Sequence, residues 1–247
     1  MNMMGRKYTM KRNYLMHLIQ LVVIFTSIWI SLQATQAATI RNVPSAYATI
    51  TLAIADAIDG DTINVAGRVL PYAENIIIGK SLVLQGAGAA TTIISGTGTI
   101  GSSIITITAS NVTIDGFKIT NAASKRGISV ANQSGITITN NTITAIDGSD
   151  ATTTSENTFG IAVSSSSAAV ANITITNNII SNISNANASG SRSTHGIVAG
   201  FSDGNFHITN LLIQGNSIST KYRSKIKLTE SRELDDVRRA DIGKHIK

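Results

Sequence analysis

Four segments of the chain align with one another without gaps, and this repetition restricts the possible folds more than any other feature of the sequence. They occupy residues 111–119, 135–143, 172–180 and 210–218. Within them Ile, Val or Leu largely alternates with Thr or another polar residue, which is the period of a strand with one buried face and excludes a helix. The starts of the segments lie 24, 37 and 38 residues apart. Repeats that keep their strand pattern while the intervening lengths vary predict a solenoid with loops at its corners.

A second type of strand precedes these segments. It begins with Gly and continues with small or aliphatic residues at 127–130, 160–163 and 196–199, with an earlier copy near residues 104–107. Each coil therefore contains at least two short strands. The sequence predicts an all-β fold, a single-stranded right-handed parallel β-helix of about six coils that stack at about 4.8 Å.

The position at which each repeat strand ends holds Gly or Asn, the residues that best tolerate a left-handed backbone. These residues are Gly116, Asn140, Asn177 and Gly215. A bend at one fixed corner of every coil is therefore expected. The next column contains Phe117 and then Asn141, Asn178 and Asn216. Because stacked asparagines can hydrogen-bond from coil to coil, we predict an inward-facing asparagine ladder.

The open end of a solenoid exposes apolar core and unpaired strand edges, so it needs a cover. Residues 49–58 provide one at the N-terminal end. The helical stripe consists of Ile50, Ala53, Ile54, Ala57 and Ile58. An Asp-Gly-Asp turn at residues 59–61 then leads into a strand at 62–65. We predict that this helix caps the first coil.

Charge is concentrated at the two ends of the chain. The formal net charge is +6, yet residues 39–220 contain seven basic and nine acidic residues. The basic charge therefore belongs to the termini, which removes the main support for nucleic-acid binding. Aromatic residues make up only 4% of the chain, so few surfaces are available for stacking bases. The chain has no cysteine, so its stability must come from packing and hydrogen bonds.

Residues 1–37 have the features of a secretory signal peptide. Basic residues precede an apolar stretch at 15–32, and small residues provide a cleavage site after Ala37. The alternative is an uncleaved membrane anchor, which His17 and Gln20 weaken. The expected location is outside the cell or in the cell envelope, with membrane contact only through this segment if it is not cleaved.

The repeat pattern stops after Thr220, so the β-helix domain is predicted to span residues 38–220. The charged tail at 221–247 contains 14 charged residues. It forms either a short charged helix that covers the last coil or the truncated end of a longer β-helix, and we favour truncation.

Residues 47–96 carry a further pattern beside the helical stripe. It consists of Tyr47, Thr49-Ile50, Ala53-Ile54, Ala57, Asp59-Gly60-Asp61-Thr62-Ile63, Val65, Gly67, Tyr72, Glu74-Asn75, Lys80-Ser81-Leu82, Leu84, Gly86, Gly88, Thr92-Ile93-Ile94 and Gly96. This pattern resembles the opening of pectin lyase-like β-helix proteins, pectinesterases included, and the later repeats resemble generic repeats of the same superfamily. The resemblance implies that the partner is a polysaccharide or cell-surface glycan bound along a groove on one face.

The motifs of the enzymes in this superfamily are incomplete here. Pectinesterases need a Gln-Asp pair, which the sequence lacks, and neither Pro44 nor Pro71 fits the Arg-x-Pro-x-x-Arg segment of pectate lyases. The polygalacturonase branch is nearer, since residues 194–197 and 221–227 resemble degraded forms of its Gly-His-Gly and Arg-Ile-Lys motifs. Where that resemblance would place paired aspartates, the chain has Asn157-Thr158. Glycoside hydrolysis needs two carboxylates flanking the scissile bond.

A few acidic residues and one histidine remain as site candidates. The candidates for catalysis are Asp147, Asp150 and His195. Asp147 and Asp150 together with Glu156 also form a candidate calcium site, because hard oxygen ligands suit that ion. A solvated turn explains the same acids, and a corner residue with a satisfied ring explains His195. No cofactor is expected.

Arg126 and Arg192 stand before the Gly-Ile strands and are candidates for binding uronate carboxylates. Equally, they can serve only to keep a strand face soluble. The several Asn-x-Thr/Ser triplets follow from the repeat composition, so the sequence offers no separate reason to treat them as glycosylation sites.

The sequence therefore favours a secreted or surface-exposed β-helix protein that binds polysaccharide or has a structural role, without clear catalytic residues. The alternative is a carbohydrate-active enzyme on pectin-like uronic-acid polysaccharide, a lyase, esterase or hydrolase, or a degenerate form of one. In that case Asp147, Asp150, Arg192 and His195 would face a shared groove. Two carboxylates within about 5–10 Å on one outward face would support the enzyme.

Overall fold

The computed structural model describes residues 15–21, 37–97, 103–121, 123–148, 157–185, 194–200, 208–219 and 226–228. The chain divides into two compact units, Met1–Ala37 and Ala38–Lys247. In the first unit, residues 15–21 form helix α1. Across the described ranges, no helix combines the length and the apolar character needed to cross a membrane. The signal peptide stays a prediction.

The second unit consists of three parallel sheets and one helix, α2 (Ile50–Asp56). Sheet A contains β1 (Ile40–Val43), β2 (Thr62–Val65), β5 (Val83–Gly86), β8 (Thr113–Asp115), β11 (Ile136–Thr139), β14 (Val170–Thr176) and β17 (Ile208–Gln214). Sheet B contains β3 (Tyr72–Ala73), β6 (Ile93–Ser95), β9 (Lys118–Asn121), β12 (Thr142–Asp147), β15 (Ile179–Ser184) and β18 (Ser217–Ser219). Sheet C contains β4 (Ile76–Ile78), β7 (Ser103–Ile107), β10 (Arg126–Ala131), β13 (Thr158–Ser164), β16 (Thr194–Ala199) and β19 (Ile226–Leu228).

After β1, successive strands visit sheets A, B and C in strict rotation, and each strand pairs in parallel with the strands one coil before and after it. This is a parallel β-helix, as predicted. Each coil has three strands, where the sequence established at least two. The additional sheet is sheet B, whose strands begin just beyond the Gly/Asn corner.

The core lies inside the three sheets and is filled by the inward half of each alternating pattern. Ile114, Ile138 and Ile175 occupy one register position of sheet A, and all three are fully buried. Ile119, Ile143 and Ile180 form the equivalent column in sheet B and are also fully buried. Burial of an isoleucine side chain contributes about 1.5–3 kcal/mol, so the repeating columns supply most of the driving force for folding.

The predicted capping helix is present as α2, and it contacts β1, β2 and β4 of the first coil. Thr49 is its N-cap, and its hydroxyl accepts a hydrogen bond from the backbone N–H of Leu52 at 3.1 Å. Ile50, Ala53 and Ile54 are buried on the side facing the coil. Ile58, which the stripe included, lies beyond the helix and is only half-buried.

The strand pairing extends past the boundary predicted at residue 220. β19 (Ile226–Leu228) pairs with β16 in parallel, with Ile197 opposite Ile226. Part of the charged tail thus belongs to sheet C, because parallel pairing needs only backbone groups and an adjacent edge. The predicted charged helix falls on residues outside the described ranges.

Candidate functional site

The Gly/Asn corner of the repeats lies at the end of the sheet A strands. Gly116 (φ 80°), Asn140 (55°), Asn177 (56°) and Gly215 (67°) all have a left-handed backbone. The register of sheet A places them directly after the paired residues Asp115, Thr139, Thr176 and Gln214. They therefore lie above one another, and each turns the chain from sheet A into sheet B.

The next column is an asparagine ladder that faces the core. Oδ1 of Asn178 accepts hydrogen bonds from the backbone N and from Nδ2 of Asn141, at 3.0 and 3.2 Å. Oδ1 of Asn216 accepts the same two bonds from Asn178, both at 2.9 Å. At the other end, the backbone N of Phe117 donates to Oδ1 of Asn141 at 3.0 Å. The buried amides also donate to backbone carbonyls of the previous coil, such as Ile114 O.

A second left-handed column stands at the start of the aligned repeats. It contains Asn111 (φ 58°), Gly135 (70°), Asn172 (60°) and Asn210 (51°). The sequence carries a signal for this column as well, because it also holds only Asn and Gly. It marks the corner at which the chain enters sheet A.

The candidates Arg126 and His195 are brought into one column of sheet C together with a residue that the sequence did not single out. Arg126 pairs with Phe159, and Phe159 pairs with His195. The His195 and Phe159 rings stack with centroids 5.8 Å apart and planes 13° apart. The guanidinium of Arg126 lies 5.8 Å from the centroid of the Phe159 ring. Stacked rings with a cation beyond one face attract each other through the ring quadrupole.

The burial of this column decides what it can do. Phe159 is 2% exposed and His195 is 5% exposed, whereas Arg126 is half-buried. Phe159 also joins Ala162 and Val198 in an apolar cluster separate from the core. The His195 ring is therefore a packing group between neighbouring coils and is closed to a polymeric substrate.

Polar residues are buried where chain segments of sheets B and C meet. This B–C corner cluster consists of Lys125, Thr158, Asn185, Thr194 and His195. Nδ2 of Asn185 donates to Oγ1 of Thr158 at 3.2 Å, and Thr158 pairs with Thr194. The buried lysine was missed in the sequence, since an isolated Lys in a polar loop carries no signal.

Asp147 lies beside the B–C corner cluster, at the end of β12, and is half-buried. The following Gly148 packs tightly on Thr158: a Cβ atom at residue 148 would lie 2.3 Å from Oγ1 of Thr158. The structure thus brings Asp147 and His195 to the same corner on neighbouring coils. Asp150, Glu156 and Arg192 lie outside the described residues. Within the described ranges, no three His, Asp or Glu side chains are grouped so as to hold a metal ion.

Two carboxylates do meet at the N-terminal end, around Arg41. Its Nε donates to Oδ2 of Asp61 at 2.8 Å, and its Nη1 donates to Oδ2 of Asp56. Asp61 is fully buried, and its oxygens also accept the backbone N–H groups of Thr39 at 2.7 Å and Ile58 at 2.9 Å. Burial alone would raise the pKa of the Asp61 carboxyl, but these N–H donors and Arg41 outweigh it and hold the pKa well below its usual range. This Arg41–Asp61 cluster joins α2 to the first coil, and both carboxylate oxygens of Asp61 are engaged in hydrogen bonds within it.

The outer face of sheet A carries a column of polar residues. It consists of Asn64, Gln85, Asp115, Thr139, Thr176 and Gln214, and in the neighbouring column Thr113, Thr137 and Thr174 lie between Val83 and Leu212. We call these nine polar residues the sheet A polar face. The hydroxyls of Thr139 and Thr176 are 3.1 Å apart, so the column is hydrogen-bonded from coil to coil.

No family model matches this chain. It is 49% identical over 72 residues to a cell surface glycoprotein of Methanothermus fervidus. That alignment covers 29% of this chain and 11% of the relative, so the chain spans only a small part of the protein it matches.

Two solved structures are similar at low identity. One is a pectin methylesterase in complex with a hexasaccharide, with a TM-score of 0.39 and 14% identity. The other is the pectin methylesterase PemA from Erwinia chrysanthemi, with a TM-score of 0.35 and 13% identity. Each alignment covers 74% of this chain and 66% of the solved chain.

Proposed function

We propose that this chain is a surface-exposed β-helix module that binds polysaccharide along the sheet A polar face. The observation that carries the proposal is the in-register repetition of hydroxyl and amide groups on that face. Strands in a sheet are about 4.8 Å apart, so a polymer with regularly spaced hydroxyls meets an outward polar side chain at every coil. Because the groups are fixed by strands, little conformational entropy is lost when the polymer binds.

The chemistry of the face favours a neutral polysaccharide. Of its nine side chains only Asp115 is charged, and its Oδ1 already accepts a hydrogen bond from Nδ2 of Asn140 at 2.9 Å. Hydrogen bonds from hydroxyls and amides do not depend on ionic strength as ion pairs do. Binding to a neutral glycan should therefore persist in salt, and a polyuronate should bind less well.

The location rests on two further points. The predicted signal peptide at residues 1–37 leads the chain out of the cytoplasm, and the sequence match to a cell surface glycoprotein supports a place in the cell envelope. Neither point specifies a catalytic activity.

Binding is tested by isothermal titration of the purified chain with a neutral galactan and with polygalacturonate. The double variant Thr139→Val, Thr176→Val removes two hydroxyls at nearly constant shape and should weaken galactan binding about tenfold. The matched control is Thr144→Val, Ser181→Ala, which removes a hydroxyl pair 3.0 Å apart on the outer face of sheet B. Equal binding by both double variants would contradict the assignment to sheet A. Release of methanol, reducing ends or unsaturated uronate from pectin would contradict a binding role and make the chain an enzyme.

A further inference from the structure

Five described asparagines begin an Asn-x-Ser/Thr triplet, and all five have a left-handed backbone. They are Asn111 (φ 58°), Asn132 (55°), Asn140 (55°), Asn172 (60°) and Asn182 (52°). A left-handed residue between extended ones bends the chain, so its side chain leaves the corner towards solvent. Four of the five are exposed, and Asn132 is half-buried. The repeat composition explains why the triplets occur, and the structure adds which amide nitrogens face solvent.

Three of these amide nitrogens are engaged by neighbouring side chains. Nδ2 of Asn140 donates to Oδ1 of Asp115 at 2.9 Å. Nδ2 of Asn182 donates to Oγ1 of Thr144 at 3.4 Å. Nδ2 of Asn132 donates to a serine hydroxyl at 3.4 Å. A sugar attached to any of the three would compete with these contacts.

The amides of Asn111 and Asn172 are oriented differently. Oδ1 of Asn172 accepts a hydrogen bond from Nδ2 of Asn210 at 2.9 Å. Oδ1 of Asn111 leans over Gly135, where a Cβ atom would lie only 2.3 Å away. Because the oxygen and nitrogen of an amide point in different directions, both Nδ2 atoms face away from the following coil. Neither donates a hydrogen bond to any residue in the described ranges.

The hydroxyl residue of each of these two triplets is also well placed. Thr113 and Thr174 lie two positions after Asn111 and Asn172, and both stand on the outer face of sheet A. The residues between, Val112 and Ile173, are fully buried. The asparagine and the threonine of each triplet therefore project to the same outer side, where both are open to a second protein.

We infer that Asn111 and Asn172 are N-glycosylation sites. The glycosyl donor is an oligosaccharide linked through C1 to a lipid phosphate, and the enzyme is an oligosaccharyltransferase of the host membrane. A bond forms between the asparagine Nδ2 and C1 of the sugar while the bond from C1 to the phosphate oxygen breaks. The lipid phosphate leaves with the electron pair, and a base on the transferase takes the amide proton.

The two sites are related by the β-helix itself. Both belong to the left-handed column at the start of sheet A, two coils apart with Gly135 between them. At the spacing of parallel strands this separation is about 10 Å. Two glycans would therefore line one edge of the β-helix, beside the sheet A polar face and not on it.

The test is glycopeptide mass spectrometry of the full chain isolated from its own host. Peptides that contain Asn111 and Asn172 should carry a glycan at high occupancy, and those with Asn140 or Asn182 at lower occupancy. Thr174→Val should remove the glycan from Asn172, and Thr174→Ser should keep it. The matched control is Thr137→Val, because Thr137 pairs with Thr174 in sheet A but belongs to no triplet.

Quantitative recovery of unmodified Asn111 and Asn172 peptides, from a host that glycosylates its other envelope proteins, would overturn the inference. Occupancy confined to Asn140 and Asn182 would also overturn it, since it would show that the orientation of the amide does not matter. Loss of the Asn172 glycan in the Thr137→Val control would assign the effect to folding and would likewise count against the triplet as its cause.

Discussion

The first coil and the middle coils of this β-helix are held together by different kinds of contact. In the first coil, a buried ion pair and side-chain caps join residues that have no counterpart in the other coils. Arg41 and Asp61 form the ion pair, and the Glu74 carboxylate accepts the backbone N–H of Ile50 at 3.0 Å, at the start of α2. In the middle coils, by contrast, the ladder of Asn141, Asn178 and Asn216 repeats one neutral contact.

The difference shows how a solenoid solves two separate problems. Between coils, the neighbour offers an identical surface, so an identical hydrogen bond can be repeated at every level. At the end of the stack there is no neighbouring coil, and a helix of different shape must be fitted to it. Charged residues suit that fitting, because one carboxylate can accept from several N–H donors at once. The two regions should therefore respond differently to substitution and to pH.

The largest effect is expected from Asn178→Ala in the middle of the ladder. The substitution leaves the backbone N of Asn141 without its buried acceptor and removes three further hydrogen bonds made by the Asn178 amide. The unsatisfied N–H costs about 1–3 kcal/mol and each further lost bond about 1 kcal/mol, so the free energy of unfolding should fall by about 4 kcal/mol. Urea unfolding followed by circular dichroism measures this loss. Asn64→Ala is the control, because the bond from Asn64 to Asn42 is exposed and its removal should change stability by less than about 0.5 kcal/mol.

A smaller and more local effect is expected from Asp61→Asn in the first coil. The substitution leaves Arg41 without its buried partner and turns an amide nitrogen towards N–H donors, at a cost of about 3 kcal/mol. Because each coil contacts only its neighbours, hydrogen exchange should accelerate in α2 and β1 and remain unchanged in β11 and β14. Asp115→Asn is the matched substitution in a middle coil and should leave both regions unchanged. Uniform acceleration along the whole chain would show that the cap and the middle coils unfold together.

The smallest effect is expected from acid. The pKa of Asp61 is lower in the folded protein than the usual value of about 3.9, so the contribution of this carboxylate is complete above about pH 5. It is lost as the pH falls below 3.9 towards the folded pKa. Between pH 5 and pH 2 the NMR signals of α2 should therefore move to unfolded positions before those of β14. In Asp61→Asn this difference in pH dependence between the two regions should disappear, and its persistence would assign it to other carboxyls.

The repeat made the middle coils predictable from sequence. Gly and Asn have only a weak preference for a left-handed backbone, but one of them occupies the same aligned position in all four copies. That recurrence predicts the corner at Gly116 and Asn140. Alternation with period two then separates the inward Ile side chains from the outward Thr side chains. Sheet B is harder to predict from the sequence because its strands follow the corner immediately. Some of them are as short as two residues, such as Tyr72–Ala73.

Contacts between residues that are not repeated from coil to coil could not be predicted in the same way. The partner of Asp61 is Arg41, 20 residues earlier, and nothing in their spacing marks them as a pair. The stack of Phe159 and His195 depends on the register of β13 and β16 and on a burial that composition does not reveal. His195 therefore was expected as a candidate for chemistry, whereas its ring packs against a neighbour.

The asparagine ladder also determines how a protein of this kind can change in length. Asn141 and Asn178 each bond to the coil before and to the coil after, with the same atoms each time. Duplication of residues 136–172 would insert a complete coil whose asparagine meets matching partners on both sides. The β-helix can thus be extended by whole coils. Each inserted coil adds about 4.8 Å to its length and one buried asparagine amide to the ladder.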